Sequence, residues 1–108
     1  MVGVSRFSVW RVDLNPTQGS EQAGQRPVLV VSPDEMNTNL NTVIVAPLTT
    51  RLRRWPTRVR VDHEARSGEV ALDQLRAIDK SRLGRSLGTL DPIHHAPVLS
   101  VLAAMFAE

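Results

Sequence analysis

The apolar residues of this 108-residue chain fall in short β-branched runs that recur about every 8–15 residues, separated by polar segments. Only after Leu90 does the apolar period lengthen. Short runs at that spacing pair into antiparallel sheet, and a chain of this length must curl the sheet to cover its own core. The pattern predicts a mostly β (α+β) fold, a small curved barrel closed by a C-terminal helix, with residues 1–108 as one domain.

The strands read as follows. Val9–Leu14 alternates apolar and polar and is a half-buried strand; Asn15–Gln25, with Pro16, Gly19 and Gly24, is an exposed loop. Arg26–Ser32 is a continuous apolar run and so a buried strand, with Pro27 at its start, where a missing donor is tolerated. Ser32 and Pro33 suggest an N-cap and first position for one helical turn. Thr42–Leu48 and Thr57–Asp62 are further strands; Glu69–Leu72 and Leu75–Ile78 read as one strand with a bulge between them, and Arg85–Leu90 as a last short one. Asp91-Pro92 then opens a helix carrying Val98, Leu99, Val101, Leu102, Met105 and Phe106 at helical spacing. Pro97 is awkward inside it, so the regular helix begins near Ala96 or is kinked there.

Composition narrows the chemistry. With no cysteine, disulfides, thiolate metal sites and a Cys nucleophile are excluded. The three histidines, His63, His94 and His95, lack metal-ligand spacing, so no cofactor and no metal centre are expected. Pro27–Val31 and Val43–Leu48 are too short to cross a bilayer, and the first residues lack a signal-peptide apolar region. A soluble, cytoplasmic protein without a membrane partner is the expectation. Arginine supplies 12 of the 13 basic side chains, and Arg51, Arg53, Arg54, Arg58 and Arg60 lie within ten residues with no acid among them. Guanidinium forks match phosphate oxygens and stack on bases, so the cluster favours a nucleic-acid partner over a plain solvated face. Trp55 within it offers bases a stacking platform.

The most concentrated signal is Gly19–Pro27, a glycine-flanked polar loop delivering Arg26 at the first residue of a buried strand. A guanidinium anchored there is ready to meet an oxyanion, or equally to bond loop carbonyls. Glu21 and Asp73 are a possible carboxylate pair that spacing alone does not bring together.

Asp13–Thr17 followed by Gly19–Ser32, then Val45–Thr50 and Leu72–Asp79, closely resembles the MazF/PemK (Kid-like) toxins of type II toxin–antitoxin systems, in order and over nearly the whole chain. The resemblance implies an SH3-like barrel, a homodimer, and a metal-independent endoribonuclease that cuts single-stranded RNA to a 2′,3′-cyclic phosphate and a 5′-hydroxyl. It also implies a cognate MazE-like antitoxin. By position Arg26 matches the family's catalytic arginine, Thr49 its catalytic threonine, and Glu21 a loop acid implicated in some members. Ser20, Gln22, Gln25, Thr50, Arg53, Arg54, Trp55, Asp73, Gln74 and Arg76 are the candidate RNA contacts.

Some positions depart from the family. Phe7-Ser8 replaces a usual Gly-acid pair, Ser20 and Gln25 stand where some members carry a histidine, and Ala71 replaces the Kid-like arginine ahead of Asp73-Gln74. Thr49 has a structural alternative, closing a strand end by bonding backbone. Two other functions share the barrel: a gyrase-binding toxin of the CcdB type and an RNA-binding module without activity. The protein-binding toxin has no need of a rigid phosphate-facing arginine, and the RNA-binding module would bind RNA with a salt-dependent affinity and show no cleavage.

Overall fold

In a computed structural model the described residues are 3–14, 19 and 24–108. The seven strands are β1 (Ser8–Asp13), β2 (Gln25–Val30), β3 (Thr42–Thr49), β4 (Arg58–His63), β5 (Arg66–Ala71), β6 (Arg76–Asp79) and β7 (Leu83–Thr89). Two helices, α1 (Asp34–Asn39) and α2 (His95–Phe106), and three 3₁₀ turns complete the described chain.

The apolar run in β2 is buried on both faces. Val28 and Val30 pack with Val12, Leu14, Val43, Val45 and Ile78, while Leu29 and the following Val31 pack with Val9, Ala46, Val59, Val61, Val70, Leu72 and Leu90. Opposite faces of one strand thus serve two cores, which a near-continuous apolar run allows and an alternating one does not. Val98, Val101, Leu102 and Met105 of α2 cover the second of these cores.

All strand pairs are antiparallel, in the order β4-β5-β3-β2-β1-β7. The curl comes from β3. Its first half, Thr42–Val45, pairs with β6, and its last two residues, Leu48 and Thr49, pair with β5, while β2 takes part of its other edge. The result is a curled, half-barrel sheet with a C-terminal helix. At the open side, His63 at the end of β4 reaches across to the Leu87 carbonyl of β7, 2.8 Å away, bridging the two ends of the sheet.

Several local expectations are corrected. The single bulged strand over Glu69–Ile78 is two strands separated by a full 3₁₀ turn, Leu72–Gln74. Those three residues let the chain leave the end of β3 and rejoin it at its start, with Leu72 fully buried and its N–H donated to the Thr57 carbonyl at 3.1 Å. Ser32 does not cap α1, whose N-cap is Pro33. The Ser32 hydroxyl is buried instead, donating to Asn37 Oδ1 and accepting the Ile44 N–H at 3.0 Å, so it ties α1 to β3.

Asp91 caps the 3₁₀ turn Pro92–His94 rather than the α-helix, accepting the Ile93 N–H at 3.0 Å. The regular helix starts at His95, so Pro97 lies in its first turn, where an N–H has no intrahelical acceptor to lose. His94 and His95 do more than decorate this start. His94 Nε2 accepts the Asp62 N–H at 3.2 Å, and His95 stacks on Phe7 with ring centroids 3.7 Å apart. Phe106, the last residue of the apolar stripe, is 75% exposed on this chain.

Candidate active site

The base of the loop that precedes β2 is pinned by the Leu14 N–H, donated to the Gly24 carbonyl at 2.9 Å, and Gly24 takes a positive φ of 77°. Arg76 Nη1 braces the same point by donating to the Leu14 carbonyl at 3.3 Å. Ser20, Glu21 and Gln22 lie outside the described residues.

Beyond this loop Arg26 opposes Val12 on β1, and the β2–β3 register runs Val28↔Pro47, Leu29↔Ala46 and Val30↔Val45. Arg26 and Thr49 lie two residues beyond the end of that paired stretch, on the groove side of β2 and β3. Thr49 in turn opposes Glu69 on β5. An open groove of about 450 Å³ runs over this row, lined by Gln25, Arg26, Thr49 and Thr50. Arg11, His63 and Arg66 join them from β1, β4 and β5.

Thr49 is nearly buried, and its Oγ1 accepts the Arg51 N–H at 3.1 Å. The strand-closing role is therefore present, yet accepting that bond leaves the hydroxyl proton available to donate into the groove. Gly68 lies so close behind that a Cβ there would sit 2.5 Å from the Thr49 carbonyl oxygen. Glycine at 68 thus sets how closely β5 can approach the threonine.

A second set of residues hangs from the same row. The Glu69 carboxylate is 3% exposed and accepts the Arg53 N–H on Oε1 at 2.9 Å and the Arg54 N–H on Oε2 at 3.0 Å. Burial pushes its pKa up, but those two N–H groups and the Arg58 guanidinium outweigh burial and hold it below the ordinary carboxylate range. Arg58 also grips Asp73, with Nε 2.7 Å from Oδ1 and Nη2 3.3 Å from Oδ2, while the Thr57 hydroxyl donates to Oδ1 at 3.0 Å. Asp73 is likewise held low, these bonds outweighing its partial desolvation, and Arg58 is raised chiefly by its bond to Asp73. The Trp55 ring, half exposed, lies between the Arg58 and Arg53 guanidinia at 4.7 and 5.4 Å.

The fold thus gathers Gln25, Arg26, Thr49 and Thr50 in one groove and sets Arg53, Arg54, Trp55 and Asp73 in a patch joined to Thr49 through Glu69. Gln74 lies on the Asp73 turn, and Arg76 braces the loop base outside the groove lining. Of the five clustered arginines, Arg58 is an internal ion-pair partner with a side chain 4% exposed, not a solvated cation. Among the described residues, no three histidine or acidic side chains gather as a metal site.

Residues 5–106 match the family model of the PemK-like, MazF-like toxin of type II toxin–antitoxin systems. The chain belongs to the PemK/MazF toxin family. This MazF-family chain is 40% identical over 94 residues to Endoribonuclease EndoA of Bacillus subtilis (strain 168), covering 82% of this chain and 81% of that one. Its fold matches the crystal structure of MazF from Deinococcus radiodurans with a TM-score of 0.83 at 27% identity, covering 97% of each chain. An endoribonuclease from a Mycobacterial species, solved in complex with its cognate antitoxin, matches with a TM-score of 0.81 at 29% identity, covering 94% of this chain and 92% of that one.

Arg11, His63, Arg66 and Glu69 were not singled out as site residues by the sequence. Each reaches the site through strand pairing between distant segments. The only local signal was the alternation of Arg58-Val59-Arg60-Val61, which sets facing but not neighbours.

Proposed function

We propose that this MazF-family chain is an endoribonuclease toxin that cuts single-stranded RNA, mRNA foremost, without a metal ion, under the control of a cognate MazE-like antitoxin. The observation that carries the reading is that Arg26 and Thr49 line one groove from adjacent strands. In this mechanism a ribose 2′-oxygen attacks the adjacent phosphorus, the 2′-O–P bond forms, and the bond from phosphorus to the 5′-oxygen breaks. The products are a 2′,3′-cyclic phosphate and a free 5′-hydroxyl. Negative charge grows on the non-bridging oxygens. Arg26 holds it through paired N–H donors and the Thr49 hydroxyl adds another.

The nucleophile belongs to the RNA, so the reaction asks no cofactor of the protein. Gln25 and Thr50 border the scissile nucleotide in this reading, and the Arg53, Arg54 and Trp55 patch takes flanking bases. An acidic antitoxin segment suits that same patch, so inhibition is competition for one surface. A purely protein-binding toxin makes no use of the Arg26–Thr49 groove.

The test is an RNA oligonucleotide carrying a mapped cut site, compared with the same oligonucleotide holding one 2′-deoxynucleotide on the 5′ side of the scissile phosphate. The expected result is cyclic-phosphate ends from the first and no cleavage at that phosphate in the second, although both are bound. Cleavage of the deoxy-substituted strand at the same phosphate contradicts the mechanism.

A further inference from the structure

Arg26 and Thr49 account for charge on the phosphate but do not accept the proton of the 2′-hydroxyl; Glu21 lies outside the described residues, and Asp73 is committed to Arg58 and Thr57. Arginine stays protonated in proteins, so Arg11, Arg26 and Arg66 do not accept that proton. Threonine and serine hydroxyls do not titrate in the working range either. Among the described residues that line the groove, only His63 and Glu64 remain. Glu64 sits exposed in the tight turn between β4 and β5.

His63 differs in two ways. It is half-buried, and one ring nitrogen is already committed: Nε2 lies 2.8 Å from the Leu87 carbonyl oxygen. A carbonyl only accepts, so Nε2 carries the hydrogen, and in the neutral ring the lone pair is on Nδ1. The bond to Leu87 persists whether the ring is neutral or cationic. The ring is therefore oriented in both states while Nδ1 gains and loses its proton, the arrangement of a base held by an orienting acceptor.

We infer that His63 is the proton-transfer residue of the cleavage reaction. Its Nδ1 takes the 2′-hydroxyl proton as the 2′-oxygen bonds to phosphorus, and the electron pair of the breaking bond passes to the 5′-oxygen, which is protonated by water. The inference rests on the cleavage reading above. The charged groups sharing the groove with His63 are Arg11 from β1, Arg26 from β2, Arg66 from β5 and Glu64 from the turn. His63 and its Leu87 partner belong to β4 and β7, not to the segment before β2, so a chain with Ser20 and Gln25 in place of loop histidines still has an imidazole at the groove.

The experiment is single-turnover cleavage of a labelled RNA containing a mapped site, in excess EDTA across about pH 5 to 8.5, spanning the range where imidazole titrates, by the wild type and by His63→Gln. Glutamine keeps an N–H at the reach of Nε2 for the Leu87 carbonyl and has no titrating nitrogen. The wild-type rate is expected to rise with pH and level off. His63→Gln is expected to lose roughly 10²–10⁴-fold in rate, lose that slope, and bind RNA as the wild type does. A flat wild-type profile overturns the assignment without recourse to any variant. So does a slower His63→Gln enzyme that keeps the wild-type slope, which makes the residue a bridge between sheet ends and nothing more. A wild type that makes no product at any pH instead removes the cleavage reading itself, and this assignment with it.

Discussion

Under the proposed mechanism Thr49 carries two duties on one oxygen. Its Oγ1 closes the end of β3 against the Arg51 N–H, and its proton remains for the phosphate. Both duties depend on how closely β5 approaches, and that is set by Gly68. Any side chain there meets the Thr49 carbonyl, a backbone atom that cannot swing aside as a flexible side chain would. Gly68→Ala is therefore expected to push the end of β3 away from its place in the groove. The cost in stability is about 1–3 kcal/mol for the forced backbone shift. The cost in cleavage is larger in proportion, on the order of 10²-fold, because small displacements of positioned groups are amplified in rate. Urea midpoints and single-turnover rates on the same preparation check this, and a fall in stability with full activity contradicts it.

At the scale of elements, the segment from Thr50 to Pro56 has no regular structure, yet it is held in place by Glu69 of β5. The folded protein holds Glu69 and Asp73 below the ordinary carboxylate range. The native state therefore favours their ionised forms more than the unfolded chain does. Their contribution to stability is complete above the unfolded carboxylate range, about pH 4, and is lost as pH falls through the lower folded values. Glu69→Gln is expected to lower stability at neutral pH, by about 1–3 kcal/mol for a buried acceptor lost to one N–H. It is also expected to flatten the decline in urea midpoint below about pH 4. An acid decline as steep as the wild type's contradicts the role given to Glu69.

The same segment marks where sequence reading succeeded and where it stopped. The alternation in β1 and β4, the apolar run of β2 and the period change after Leu90 were legible because each is a local pattern. Arg26 and Thr49 were picked out by the motif that carries them, and the fold brings both to one groove. Arg58 was read within an arginine cluster offered to a nucleic acid and is instead clamped between two carboxylates, because its partners lie 11 and 15 positions along the chain and only the β4–β5 register and the Leu72–Gln74 turn bring them near. The three-residue turn itself escaped because a continued strand and a short 3₁₀ turn have the same composition at this length. Ser32 was read as a cap from its place before Pro33, and tertiary bonding to Asn37 and Ile44 overrode that local preference.

For the whole molecule, the sheet's two ends meet at His63 and Leu87, and the groove lies in the opening between them. Chemistry and fold closure thus share one seam. The described residues also leave Phe106 and Ile93 about three-quarters exposed beside α2, more apolar surface than an isolated chain gains from showing. The expected homodimer would cover such residues. Sedimentation is expected to give about twice the 11.9 kDa of one chain, and a species of 11.9 kDa at micromolar concentration contradicts it. No helix among the described residues is long and apolar enough to cross a membrane.

The central claim is that a groove built around Arg26 cuts RNA with the RNA's own hydroxyl. The most direct measurement is digestion of a long, unstructured RNA and its DNA copy in excess EDTA, by the wild type and by Arg26→Ala at equal concentration. The account predicts discrete cuts in the RNA by the wild type, a rate lower by roughly 10²–10³-fold for Arg26→Ala, and intact DNA throughout. RNA left whole by the wild type, or cut equally well by Arg26→Ala, contradicts it.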